Sequence, residues 1–556
     1  MWEPMTENLN TLNGMAMQVA ARAPKQLGIF GTRPWPRPSG GVSAVYTAAL
    51  LPQVGSASLL FPVSPSSSES AKKQPRTSEQ GRLLKDMRLA AVLAHAPVAQ
   101  PQPPSACIKL QGFDDPQVAF SSKSTGQLLQ SLAVFRTCSV KPLVQNADVL
   151  LAAAKKVVGP AVVTSVVRHT FFKHFCGGEC EHTLKPTADM LRQHGIRPIL
   201  NYAAEDDVSD APTAVECADA AAERASDCNL RPFLKSVEDA GNREGKGFVQ
   251  AKVTCLGNCD MMKQISAHFT SVSRITGHHV DDLRACLAAV LSPHHLQLFD
   301  NMVHRMESIA KAAASKGNVR LLIDAEHSYM QPAIDAVTIH LQAKYNKQTP
   351  VVFNTYQCYL KDSHQRLAAD MQLAKQKGFL LAAKVVRGAY MHLERDRAAE
   401  MGYPSPIQDS LEDTHFNYNR CIGEMMRSCK DDKFEMMVAS HNQASVEAAV
   451  GLMHDLDMHP TNSGVHFGQL LGMADHLTYT LGGNGYQAYK AVPYGPVEET
   501  IAYLLRRAKE NSDMLGGVGK ETAMLRSELW RRMKCNNPIT QLFSKQPAEA
   551  MLAGTA

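Results

Sequence analysis

Long apolar runs are missing from this sequence: the best, Val157 to Val167, has about half the length needed to cross a bilayer, so any membrane contact is expected to be peripheral. Its 13 cysteines lack the regular spacing of a disulfide framework, and no apolar stretch near the start suggests secretion; reduced thiols in an intracellular compartment are expected. Aromatic residues are sparse, at 6%, and a net charge of +5 over 556 residues is modest. No basic cluster interleaved with aromatics is present, which excludes a nucleic-acid footprint. No GxGxxG opens a helix after a strand, so a dinucleotide-binding βαβ unit is excluded as well. Residues 8 to 68 contain no Asp or Glu while keeping Arg, Lys, Ser, Ala and Pro, the composition of an organelle transit peptide followed by a flexible linker.

What remains is a hydrophobic content of 44%, enough for a large core. Four sections are expected: a transit peptide and disordered linker over 1–112, a helical region over 113–195, a catalytic domain over 196–536 and a short tail over 537–556. In the second, apolar positions such as Leu128, Leu132 and Phe135 recur at helical spacing. The third alternates short apolar runs with helical stretches: 199–206, 248–256, 319–326, 351–360, 379–390, 434–441, 464–471 and 486–494. Eight strands, each followed by a helix, predict a (β/α)8 TIM-like barrel. Most runs turn polar toward their C-terminal ends, where such barrels place their chemistry. The longer connections, 207–247 and 257–318, are expected to carry extra helices.

Two motifs carry no chemistry. His174, Cys176, Cys180 and His182 crowd too closely for a usual zinc knuckle, and no metal is expected. The run Gly516-Gly517-Val518-Gly519-Lys520 lacks the Ser or Thr of a phosphate loop and reads as a flexible helix exit.

The densest chemistry lies near the end of the chain, where Tyr503, Arg506 and Arg507 stand three and four residues apart after the turn Pro493-Tyr494-Gly495-Pro496. All three side chains fit neighbouring parts of one helical surface. A guanidinium fork gripping a carboxylate gains about 1.5 to 3 kcal/mol per charge-assisted bond where water is excluded. On the fifth run Lys384, Val386, Gly388 and Tyr390 share parity and are expected to face the barrel interior, with Arg387 facing outward. Gly388 would let a flat ring approach the backbone. Asp324 and Glu326 share parity on the third run and Lys252 lies on the second, which makes an internal Lys252 to Asp324 pair plausible; Glu326 reads as structural.

The stretch PYGPVEETIAYLLRRAKEN (493–511) resembles the C-terminal signature of the proline dehydrogenases, flavin-dependent enzymes that oxidise the proline ring. VRLLIDAEHSYMQPAID (319–335), VVFNTYQCYLKD (351–362), AAKVVRGAYMHLERDRAAEMGY (382–403), MVASHN (437–442) and VHFGQLLGMAD (465–475) resemble further blocks of its eukaryotic branch, in that family's order. STGQLLQSLAVFRTCSVKPLV (124–144) and HTFFKHFCGGE (169–179) resemble its N-terminal helices. The similarity spans about residues 113 to 540.

The resemblance implies FAD as cofactor and hydride transfer from the ring carbon beside nitrogen to the flavin N5. It assigns Lys384, Gln357, Val386, Gly388, Ala389, Thr414, His441, Asn442 and Glu510 to the flavin. Lys252, Asp324 and Tyr390 fall beside the substrate, Leu470 roofs the pocket, and Tyr503, Arg506 and Arg507 hold the carboxylate. It also implies electrons passed to ubiquinone and a mitochondrial location on the matrix side, peripheral to the inner membrane. Ala491 departs from the pattern: proline-specific members carry Tyr there, and members preferring hydroxyproline a small residue. Asn201 stands where relatives usually read Asp, a change expected to touch only strand-end hydrogen bonding. Two other classes stay open on residues alone: a Schiff-base lyase or aldolase using Lys384, and a barrel that has lost turnover.

Overall fold

A computed structural model describes residues 110–535, apart from Gln111, residues 203–214, 243–244 and 273–282, and Met514. The expected transit peptide and linker up to residue 109, and the tail after residue 536, lie outside the described residues. Eight parallel strands close a barrel in sequence order: β1 Ile196–Tyr202, β2 Gly247–Ala251, β3 Val319–Ile323, β4 Val352–Gln357, β5 Ala382–Val386, β6 Glu435–Ala439, β7 Val465–Leu470 and β8 Ala488–Tyr494. Each expected run overlaps one of them, with β1 starting three residues before its run and β2 one residue before. The closing seam is the longest pairing, with β1 and β8 in register from Ile196 beside Ala488 to Tyr202 beside Tyr494.

Strand parity sorts the side chains. Ile199, Phe248, Leu322, Phe353, Ala382, Met437 and Tyr489 fill the middle of the barrel, with Phe248 edge-on to Tyr489 at 4.9 Å and to Phe353 at 5.4 Å. The alternate residues, such as Leu200, Leu321, Val385 and Val438, face the surrounding helices. Both faces of every strand are thereby covered, as a parallel sheet requires. Below the aromatic layer, Glu435 accepts from Lys246 at 2.7 Å, contacts His466 Nε2 at 3.1 Å and lies 3.5 Å from Arg320. This plug closes the N-terminal end.

The long connections are helical, with Val215–Gly241 before β2 and Cys259–Val272, Leu283–Ala288 and Pro293–Lys316 before β3. The N-terminal region is helical too. Its helix Thr125–Cys138 starts at a capping box between Ser124 and Gln127, and a π-helical turn spans Arg168–Phe172. These elements pack on the C-terminal helices: Phe120, Leu128 and Phe135 meet Met524 and Leu525, while Val134 and Cys138 cluster with Tyr503 and Leu504. The two ends of the described chain thus share a core beside the barrel.

Two expectations need correction. The glycine run at 516–519 is no helix exit; it belongs to the first turns of the last helix, Leu515–Cys535. The fifth strand ends at Val386, so Gly388 and Tyr390 do not face inward by strand parity: Gly388 has φ +136° and Tyr390 caps the helix Met391–Met401.

The Glu435 plug gives a pH-dependent prediction. Burial alone would raise its carboxyl, but His466, Arg320 and Lys246 hold it down at about 2, against an ordinary 4.5. A depressed carboxylate stabilises the fold above its unfolded value, and that contribution is lost as pH falls through the folded one. Glu435→Gln is expected to cost about 3 kcal/mol near neutrality. Denaturant titrations should show the gap to the parent narrowing steadily below about pH 4.

Candidate active site

At the C-terminal ends of the strands, Asp324 follows β3 and Lys384 projects inward from β5. The two form an ion pair of 2.6 Å in which both side chains are largely buried. Gln250, inward on β2, donates its amide to both carboxylate oxygens at 2.9 and 3.2 Å. Lys384, which the resemblance assigns to the flavin, is thus a cation on Asp324. Lys252 acts close by, where its charge opposes the rise that burial imposes on the Glu326 carboxyl and the Tyr390 phenol. Glu326 is buried and held by Thr254, through the backbone N–H at 3.1 Å and the hydroxyl at 2.6 Å. That is the structural role expected of it.

The helix Ile501–Asp513 brings Tyr503, Arg506 and Arg507 to this mouth. Arg506 bears electrostatically on Tyr390 and Tyr503. Arg507 is buried, reaches Glu510 at 2.5 Å and places its guanidinium carbon 5.1 Å from the centre of the Tyr503 ring. Tyr503 is buried as well, and burial pushes its phenol above the ordinary range. Its hydroxyl and the Arg507 Nε are buried without a hydrogen-bond partner. Two orphan donors in one buried corner are costly unless an acceptor arrives from outside.

Several residues assigned to the flavin have partners within the protein. Asn442 caps the helix Gln443–Asp455 by accepting from Ser445 N–H at 3.0 Å. Thr414 donates to Ser410 O at 3.2 Å, and Glu510 holds Arg507. At Gly388 a Cβ would fall 1.8 Å from the Tyr359 ring, so the flat ring approaching this backbone is the protein's own. Gln357 donates to Glu326 O at 2.8 Å and accepts from Tyr359 at 3.1 Å, leaving one donor and one acceptor site on its amide. His441 accepts the Leu470 N–H on Nε2 at 3.0 Å; burial, then Lys490 and Arg507, lowers its pKa to about 3. A neutral His441 thus positions Leu470, the residue expected to roof the pocket. Val386, on β5, is half-buried.

Other contributors were not read from the sequence. Gln250 lies two residues before Lys252 on the same inward face, so strand parity alone could have found it. His327 lies against Tyr390 with ring centres 4.3 Å apart. Lys490, fully buried, donates to Leu470 O at 3.0 Å and Met473 O at 2.5 Å and pairs with Asp475 at 2.9 Å. It fixes the bend after β7, and nothing in its sequence neighbourhood announces that. Arg387 faces outward as expected, bonded to His415, Ser440 and Ser445 at 2.8 to 2.9 Å.

Fold and site together place two adjacent arginines and two buried, unpartnered donors near an ion-paired lysine at the mouth of a (β/α)8 barrel. A family model described as proline dehydrogenase matches residues 184–520. The chain is 31% identical to proline dehydrogenase 1, mitochondrial, of Drosophila melanogaster, over 76% of this chain and 80% of that one. To hydroxyproline dehydrogenase of Xenopus laevis it is 34% identical, over 79% and 94%. A crystal structure of proline utilization A from Bdellovibrio bacteriovorus, inactivated by N-propargylglycine, shares the fold at a TM-score of 0.52 and 18% identity, across 84% of this chain and 43% of that one. The chain belongs to the proline dehydrogenase family, whose members are oxidoreductases.

The Lys384 to Asp324 pair makes a direct prediction. Lys384→Met strands a largely buried carboxylate and should destabilise by about 3 kcal/mol, with Asp324→Asn in the same background recovering part of the loss. Melting curves of the two single variants and the double variant measure the coupling; simple additivity would contradict it.

Proposed function

We propose that this chain oxidises proline to 1-pyrroline-5-carboxylate, with FAD as its resident cofactor. The observation that carries the reading is the pair of buried, unpartnered donors, Tyr503 Oη and Arg507 Nε, beside Arg506. A substrate carboxylate would satisfy them.

The residues present fit a flavin. Lys384 supplies a cation at the barrel mouth, and the open donor and acceptor sites on Gln357 suit a ring with mixed polar edges. These two would hold its ring, with Val386 and Ala389 alongside, while Thr414, His441, Asn442 and Glu510 follow from the resemblance as contacts to its remainder. When bound, FAD supplies a two-electron acceptor for hydride. Arg506 and Arg507 fix the carboxylate and so orient the ring carbon beside nitrogen, an effect of proximity. Tyr390 and Leu470 bound the ring, and Lys252 and Asp324 keep the site polar beneath it. The hydride leaves that carbon and the amine gives its proton to solvent, leaving the cyclic imine. Because the lone pair must be free, turnover rises with pH. A Schiff-base reading fits less well, since Lys384 is engaged with a carboxylate at 2.6 Å.

Ala491 favours a second substrate, hydroxyproline: a methyl in this position leaves room beside the ring that a phenol would fill. Delivery of electrons to ubiquinone and a peripheral seat on the matrix face of the inner mitochondrial membrane complete the reading. Relatives named mitochondrial support it, as do Val149, Val157, Val162 and Val166, exposed on the helices Ala147–Val158 and Pro160–Val167 beside Lys155 and Lys156. Among the described residues no helix is long and apolar enough to cross a membrane.

Steady-state assays with an artificial acceptor test the proposal. Arg506→Met or Arg507→Met should raise KM about a hundredfold, the loss of a charge-assisted grip worth about 2.7 kcal/mol. Ala491→Tyr should shift kcat/KM toward proline and away from hydroxyproline. Unchanged KM in both arginine variants would refute the assignment.

A further inference from the structure

Strand register places an unassigned amide pair beside Ala491. Ile199 on β1 stands next to Ala491 on β8 and next to Phe248 on β2, so the following inward residue, Asn201, lies between Pro493 and Gln250. All belong to the inward set, because Ile199, Phe248 and Tyr489 share the barrel's central cluster. Continued one inward step, that register sets Asn201 and Gln250 side by side above the cluster, on the β1 and β2 side of Ala491.

The hydrogen bonding of this pair is incomplete. Gln250 Nε2 is committed to Asp324, and the opposite amide orientation would set its oxygen against a carboxylate, so Oε1 is the atom turned away. That oxygen is buried with no partner. Asn201 is half-buried, and among the described residues its side chain has no hydrogen bond, so it offers both a donor and an acceptor. A buried acceptor next to an amide that bonds none of the described residues is a ready receptor for one hydroxyl, which donates to the first and accepts from the second. Three carbons of a prolyl ring carry hydrogens only and could not answer it.

We propose that Asn201 and Gln250 read a ring hydroxyl, making hydroxyproline the substrate this pocket discriminates in favour of. This rests on the imino-acid reading above and goes beyond it, since Ala491 provides space alone whereas the amides provide recognition. Sites built to bond a substrate hydroxyl discriminate strongly against the analogue lacking it, because their own groups are then left unpaired.

The test measures kcat/KM for trans-4-hydroxyproline and for proline in the full-length, cofactor-loaded protein and in Asn201→Leu and Gln250→Met. The rise in melting midpoint that each imino acid produces gives a second readout, independent of turnover. The ratio of hydroxyproline to proline kcat/KM should fall about tenfold or more in either variant, with a matching loss of the extra thermal shift from hydroxyproline. Asn201→Ala, a truncation at a half-exposed position, answers the question should the leucine variant fail to fold. An unchanged ratio, or equal losses on both substrates, would overturn the proposal while leaving imino-acid oxidation intact. A parent protein that neither oxidises nor is stabilised by either compound would instead refute the underlying reading, and this one with it.

Discussion

Closure of the strand ring between β1 and β8 is the constraint on which the rest depends. Seven consecutive residue pairs join these strands, although nearly three hundred residues separate them in the chain. The seam sets Ile199 beside Ala491 and Asn201 beside Pro493, and leads the chain out of β8 through Pro493 and Gly495 into the helix that carries Arg506 and Arg507. A slip of one residue would turn every inward side chain outward, including the Lys384 and Asp324 partners across the ring. Register here is a functional coordinate as much as a structural one.

Inside that ring, charge is segregated by layers. Glu435 is paired with His466, Arg320 and Lys246 at the bottom, and a layer of aromatic rings insulates them from the mouth. Above it, Lys384, Asp324 and Gln250 form a second polar level, and the arginine helix a third. The bottom level is held mainly by the Glu435 carboxylate and leaves Arg320 Nε and His466 Nδ1 without a hydrogen-bond partner. The upper levels retain unpartnered atoms, Tyr503 Oη, Arg507 Nε and Gln250 Oε1. Buried polar groups are satisfied in most folds, and the three at the mouth are those that the proposed imino acid would complete.

Much of this was legible in the residues. Apolar runs at VRLLI and AAKVV mark strands because parallel strands are covered on both faces, and period-two parity correctly turns Lys384 inward. Parity fails where the strand ends: beyond Val386 the chain enters a positive φ at Gly388, and the strand's alternation no longer applies to Tyr390. Partner identity was harder. Parity offered Lys252 as a mate for Asp324, whereas the pairing of Lys384 with that carboxylate at 2.6 Å follows from the barrel's curvature. Motif positions such as Asn442, Glu510 and Gly388 were legible as important, yet each has a local task, capping a helix, holding an arginine, or admitting Tyr359. A pattern reports that a residue type is required; the reason lies in neighbours distant in sequence.

The central claim is that a carboxylate-bearing imino acid is held by the arginine helix over a redox-active ring in the barrel mouth. The most direct measurement is the visible absorption spectrum of the purified protein, titrated anaerobically with proline and with hydroxyproline. The account predicts flavin bands that bleach on addition of either imino acid and return with an electron acceptor. A protein loaded with FAD whose bands are untouched by both compounds, or one that binds no flavin at all, would contradict it.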